Sequence, residues 1–149
     1  MIVFAAGFGP GSPSRSRLRK GMDVVCARPL ISVIDDDEGV RLALDDMFCS
    51  RGYAVCCFAS AEAFLASPAL RASAFVVSDI QMPGMSGLEM VRALRRRGVT
   101  VSVVLISAFA TPQVFARAAR ETGVRLIEKP FDPPELLLHV EAVAGRPTP

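Results

Sequence analysis

From Leu30 onward the chain alternates between short apolar runs and segments of helical periodicity, five times over. "LISVI" (Leu30–Ile34) has no polar alternation beyond Ser32, the pattern of a strand covered on both faces. Val40, Leu44, Met47 and Phe48 then recur at helical spacing, with Arg41, Asp45 and Asp46 pointing elsewhere and Gly52 as a stop. "AVCCF" (Ala54–Phe58) reads as the second strand. Ser60–Ser67 reads as a short helix, capped by Ser60 and ended by Pro68. Strand three is Ala74–Asp79, and after a Pro/Gly turn Leu88, Val91 and Leu94 mark helix three, closed by Gly98. Strand four is Val101–Ser107, followed by a helix from Pro112 to Thr122 that Gly123 stops. Strand five is Arg125–Glu128, and the last helix, Pro133–Ala144, carries Leu136, Val140 and Val143 on one stripe.

Strands separated by single helices run parallel, because a crossover needs a dozen or so residues and returns right-handed. The expected fold is α/β: a doubly wound, five-stranded parallel sheet of flavodoxin-like order 2-1-3-4-5, with helices on both faces. Residues 29–144 form one domain. Residues 1–28 are expected to be a disordered or non-native tail, and 145–149 a C-terminal tail.

The bulk numbers agree with a single core, at 149 residues with 51% apolar and 21% charged. In residues 1–28 five basic side chains face one acid, so that segment carries +4; with +2 for the whole chain, the remainder carries −2. A mildly acidic domain is not expected to bind nucleic acid. No run reaches the roughly 18 apolar residues of a membrane span. Cys26, Cys49, Cys56 and Cys57 contain no C-x-x-C pair, which suits a reducing, cytoplasmic setting. The first 21 residues begin apolar and turn basic, the reverse of a secretory signal, and "GFGPG" has no preceding strand to make it a nucleotide loop. Met22 opens a segment that reads directly into the domain, so an overlong assigned start is one reading. The intact mass of natively expressed protein decides it.

Ligands of an open parallel sheet sit beyond the carboxyl ends of its strands. Asp35 and Asp36 follow strand one, Asp79 closes strand three, Ser107 closes strand four and Lys129 follows strand five. Taken alone, Asp79 would be a turn or cap residue; its companions change that. Three nearby carboxylates repel, and a divalent cation relieves them. Mg²⁺ suits an all-oxygen set that leaves positions for water and phosphate. Lys129 and Ser107 both suit phosphoryl oxygens. No Cys or His completes a zinc site and no base is placed to activate a serine. Phosphoryl transfer demands mainly positioning and charge neutralisation, which these parts can give.

Other polar stretches have simpler readings. Asp37 and Glu38 complement the dipole of helix one. "DDDEGVRLALDD" is not an EF-hand, since Val40 stands where Gly is needed and Asp46 where Glu is needed. "RALRRRG" (Arg92–Gly98) reads as the solvated face of helix three, and His139 as a partly covered helix residue.

"VIDDDE", "VVSDIQMPGMSG", "LISA" and "IEKPF", in this order at successive strand ends, resemble the motif set of the receiver domain of two-component response regulators, nearest to the FixJ-like receivers. The resemblance covers about Pro29 to Ala144. It implies that Asp79 is the nucleophile that forms an aspartyl-phosphate, with Lys129 pairing first with its carboxylate and then with a phosphoryl oxygen. It implies Mg²⁺ held by Asp36 directly, by Asp35 through water, by Asp79 and by the backbone carbonyl of Gln81. Ser107 would swing toward the phosphoryl group, Ala108 would leave the entry open, and a cis bond before Pro130 would aim Lys129.

The implied partners are a sensor histidine kinase or histidine phosphotransfer protein as donor, and a downstream protein or a second copy on the face of helix four, strand five and helix five. The implied catalysis is confined to the domain's own phosphorylation and dephosphorylation. Four functions stay open: a stand-alone single-domain regulator, the receiver fragment of a DNA-binding transcriptional regulator, a degenerate receiver that binds partners without phosphate, and an Mg²⁺-dependent phosphatase. The last typically wants an acid where Gln81 stands.

Two positions depart from the family pattern. Leu126 occupies the place, three before Lys129, where an aromatic ring commonly reports phosphorylation, so an aromatic readout there is not expected. Phe109 stands two after Ser107 and, with Gln81, is expected to shield the phosphoryl group from water. Self-dephosphorylation should therefore be slow and should accelerate in Phe109→Ala; a phospho-lifetime of seconds in wild type and variant alike would count against shielding.

Overall fold

The computed structural model of the chain describes residues 12–13 and 28–147. Five parallel strands form the body of the sheet: β1 (Leu30–Ile34), β2 (Ala54–Phe58), β3 (Phe75–Asp79), β4 (Ser102–Ser107) and β5 (Val124–Glu128). Helix α1 (Glu38–Ser50) follows β1, and α2 (Ala61–Leu65) and α3 (Ala69–Ala72) follow β2. Helices α4 (Gly87–Arg96), α5 (Pro112–Ala119) and α6 (Pro133–Ala144) follow β3, β4 and β5. The strand order is 2-1-3-4-5, as expected.

The pleat sends alternate residues to opposite faces, and the core divides accordingly. Ile31, Val33, Val55, Phe75, Val77, Val104 and Ile106 pack with Leu44 and Phe48 of α1 and with Leu136, Leu137 and Val140 of α6. Leu30, Ile34, Cys56, Phe58, Val76, Val103 and Leu105 pack with Phe64 of α2, Leu70 of α3 and Leu88, Val91 and Leu94 of α4. Burial on both sides is why β1 to β4 read as largely apolar runs, whereas β5, at the sheet edge, carries exposed Arg125 and Glu128. By contrast α5 buries only Ala118 and is thinly held.

Several expectations need correction. Ser12 and Pro13 pair antiparallel with Cys57 and Cys56 on the outer edge of β2, so these two residues are not tail: an edge strand offers backbone groups that a short extended segment satisfies. The rest of the tail expectation for 1–27, "GFGPG" included, and residues 148–149 lie outside the described residues. Helix α2 stops at Leu65, short of Ser67, so Pro68 does not end it; Pro68 instead opens α3, which the sequence pattern did not suggest, and its fixed φ suits a helix start. Helix α5 stops at Ala119, short of Thr122, and β5 begins one residue early at Val124. On α6, Leu137 is buried while Val143 is 47% exposed, because Val143 overhangs the foot of the sheet beside Ser102 and Gly123. Gly145–Pro147 fold back rather than trail away: Tyr53 donates its hydroxyl to the Gly145 carbonyl (2.7 Å), and Pro147 lies against Gly52.

"RALRRRG" is not simply a solvated face. Arg95 donates to the carbonyls of Val99 (2.9 Å) and Thr122 (2.7 Å), and Arg97 donates to that of Leu65 (2.9 Å). Arg92 pairs with Glu121 at 3.5 Å, so the end of α4 is tied to the turn between α5 and β5.

Candidate functional site

Strand register builds the site. Ile34 lies opposite Ser78, which sets Asp35 level with Asp79. Asp79 lies opposite Ile106, and Ser107 opposite Glu128, so Ser107 and Lys129 fall on the same rim. Carboxylate oxygens of Asp35, Asp36 and Asp79 all come within 4.8 Å of one another. The Lys129 ammonium stands 3.7 Å from Oδ2 of Asp79 and 3.9 Å from Oδ2 of Asp35. Every side chain that the sequence placed at this rim is there.

Local bonds fix each piece. Asp37 caps α1, its Oδ1 accepting from the amides of Gly39 (2.8 Å) and Val40 (3.3 Å), so it faces the helix and not the acidic group. Asp35 is 4% exposed; its Oδ1 accepts from the Asp37 amide (2.9 Å), and its carbonyl accepts from Arg41 (2.8 Å). The Lys129 amide donates to the Ser107 carbonyl (2.8 Å), and the next bond, Lys129–Pro130, is cis. Ser107 is fully buried; its hydroxyl donates to Oε1 of Gln81 (3.0 Å) and accepts from the Phe109 amide (3.1 Å). Phe109 itself is 74% exposed, and its amide is bonded to the site through Ser107. His139 stacks edge-on against Phe75 at 5.7 Å, at the opposite end of β3 from Asp79. Leu126 is half-buried against the core.

Three further residues shape the rim. A Cβ on Gly87 would run into the Asp79 carbonyl, and the Gly87 amide donates to the Ile80 carbonyl (3.0 Å); only glycine lets α4 start this close to the strand end. Glu62 on α2 accepts from the Met85 amide (2.9 Å) and steadies the loop that carries Gln81. The Arg41 bond to Asp35 is the third. The one sequence cue among these is Ser86–Glu89, a capping-box spacing that marks the helix start at Gly87 and is formed in the structure.

Three carboxylates against one ammonium leave the rim with excess negative charge. Burial raises the pKa of Asp79, opposed most by Lys129, and burial likewise raises that of Asp35, opposed most by the Asp37 amide. Oδ1 of Asp79 is buried and has no hydrogen-bond partner among the described residues. Two oxygens on one Mg²⁺ lie at most about 4.2 Å apart, so a cluster within 4.8 Å needs only small side-chain rotations to share an ion. The donor set is all oxygen, and the partnerless Asp79 oxygen is an acceptor awaiting a cation or a donor. The residues fit the metal.

An open parallel sheet with three acids, one lysine and one buried hydroxyl at its carboxyl rim is an α/β domain whose candidate site lies beyond the strand ends. Residues 31–141 match the model of the response regulator receiver domain, and the chain belongs to that family. It is 34% identical over 116 residues to the transcriptional regulatory protein FixJ of Azorhizobium caulinodans, covering 78% of this chain and 55% of FixJ. It is 34% identical over 113 residues to the response regulator protein TodT of Pseudomonas putida, covering 76% of this chain and 50% of TodT. The crystal structure of FixJ-N superimposes with a TM-score of 0.69 at 32% identity, covering 78% of this chain and 93% of that one. The chain thus spans about half the length of the curated relatives it matches.

The raised pKa values carry a sign. The folded protein without metal holds protons on Asp35 and Asp79 more tightly than the unfolded chain does, so this term lowers stability as pH rises through the folded values and is relieved as pH falls. Asp79→Asn should therefore raise the metal-free Tm at pH 7 by a few degrees, with a gain that shrinks on acidification. Thermal melts across pH check this; an unchanged Tm, or a gain independent of pH, contradicts it.

Proposed function

We propose that this domain is a phosphorylation-controlled switch in which Asp79 accepts a phosphoryl group from a phosphohistidine of a sensor kinase or histidine phosphotransfer protein. The observation that supports it best is the buried, partnerless Oδ1 of Asp79 at the centre of an acid cluster that one ammonium does not neutralise. A carboxylate oxygen of Asp79 attacks phosphorus as the P–N bond breaks. The bonding pair stays on the imidazole nitrogen, which takes up a proton, and Asp79 becomes an acyl phosphate. Asp35, Asp36, Asp79 and the Gln81 carbonyl would hold Mg²⁺, which supplies charge neutralisation to the phosphoryl oxygens. Lys129, 3.7 Å from Asp79, offers its ammonium to a phosphoryl oxygen, and the Ser107 hydroxyl offers the donor that reports the group's arrival. Catalysis is confined to the domain's own phosphorylation and dephosphorylation.

The setting is cytoplasmic on this reading; Cys57 is a packed thiol that burial pushes up to about 12, so it is little ionised at neutral pH. Output as a stand-alone module would run through docking on α5, β5 and α6, where Phe115 is 41% and Leu138 64% exposed. A second reading, a receiver within a transcriptional regulator, is favoured by the name of FixJ and by the half-length match.

Incubation with acetyl phosphate and Mg²⁺ should add the mass of one phosphoryl group to the wild type and none to Asp79→Asn. Omitting Mg²⁺ should slow the gain by at least tenfold, since the rim's negative charge then meets the phosphate unscreened. Equal labelling of wild type and Asp79→Asn would sink the proposal.

A further inference from the structure

We propose that the side chain of Gln81 is a latch that holds the Ser107 hydroxyl away from the acceptor; this rests on the reading of Asp79 as the phosphoryl acceptor. In that reading Gln81 contributes its backbone carbonyl and a share of shielding, yet its side chain also makes the one bond that the Ser107 proton has. Ser107 is fully buried at the end of β4, and its hydroxyl donates across the gap between strand ends to Oε1 of Gln81, 3.0 Å away. A hydroxyl has a single proton to donate. Gln81 and a phosphoryl oxygen on Asp79 are therefore alternatives, and Ser107 serves one only by releasing the other.

The same oxygen accepts from the Phe109 amide at 3.1 Å. Releasing Ser107 from Gln81 therefore disturbs the loop that leads into α5. That loop is free to respond: Phe109 is 74% exposed, and the helix beyond it buries only Ala118. With Leu126 in place of an aromatic switch, the line Gln81–Ser107–Phe109 gives the site a route to α5 that needs no buried ring. Gln81 is exposed, so the bond competes with water and its net strength is that of one ordinary neutral hydrogen bond. Its removal should shift the switch without locking it.

The test is a double-mutant cycle on beryllofluoride affinity at saturating Mg²⁺, in wild type, Gln81→Met, Ser107→Ala and the pair. Methionine keeps the length of Gln81 and loses its strong acceptor. Gln81→Met should bind beryllofluoride about two- to tenfold more tightly than wild type, the range of one net hydrogen bond. That gain should vanish in the Ser107→Ala background, where there is no hydroxyl to release. Gln81→Ala should show the same Ser107-dependent gain. In NMR spectra without ligand, the Phe109 amide of Gln81→Met should move toward its position in beryllofluoride-bound wild type. No gain, or the same gain with and without the Ser107 hydroxyl, overturns the latch while leaving Asp79 as acceptor. A wild type that binds no beryllofluoride overturns the proposed function, and the latch with it.

Discussion

The repulsion among three carboxylates at the carboxyl rim of the sheet is the constraint around which the site is arranged. Asp35 and Asp79 are both buried, with oxygens no more than 4.8 Å apart. At an effective dielectric constant of about 20, such a pair repels by on the order of 3 kcal/mol. Strand register gives them no escape, since Asp35 and Asp79 are level on adjacent strands whose side chains are packed on both faces. Lys129 offsets part of the charge, but at 3.7 and 3.9 Å its ammonium is outside the distance of a charge-assisted hydrogen bond to either acid. The fold thus keeps a site short of positive charge, and its all-oxygen donor set fits a divalent cation.

Rigidity and looseness are divided between the two ends of this device. The acids ride on strand ends and are pinned by backbone bonds such as Asp37 to Asp35, while Gly87 lets α4 close under Asp79 without a side chain in the way. Past Ser107 the packing thins: Ala108 and Phe109 are exposed and α5 has one buried residue. Arg92 and Arg95 tie the far end of that helix to α4 through Glu121 and the Thr122 carbonyl. A segment fastened at its end and loose at its start can respond to the state of Ser107 without disturbing the core.

Much of this was legible in the sequence because it depends on strand ends. A residue at the carboxyl end of a strand in a parallel sheet must stand on the rim, which is why Asp35, Asp79, Ser107 and Lys129 could be placed from their positions alone. Helix faces were nearly as clear, although the choice of Val143 over Leu137 shows that periodicity does not say where the sheet beneath a helix ends. What stayed hidden depends on approach in space. Nothing local tells that Gly87 would collide with the Asp79 carbonyl, that Glu62 reaches Met85, or that Arg97 reaches Leu65. The bond from Ser107 to the Gln81 side chain was missed for a related reason: in a loop no period fixes side-chain direction. Ser12 and Pro13 are too short a pair to carry a strand signal at all.

Anomalous scattering from a crystal soaked in Mn²⁺, a stand-in for Mg²⁺ with the same preference for oxygen, tests the account at its centre. It predicts one ion coordinated jointly by Asp36, Asp79 and the Gln81 carbonyl, with Asp35 reaching it directly or through a bound water. An ordered Mn²⁺ elsewhere with this rim empty, or no ion at all at millimolar metal, would contradict it.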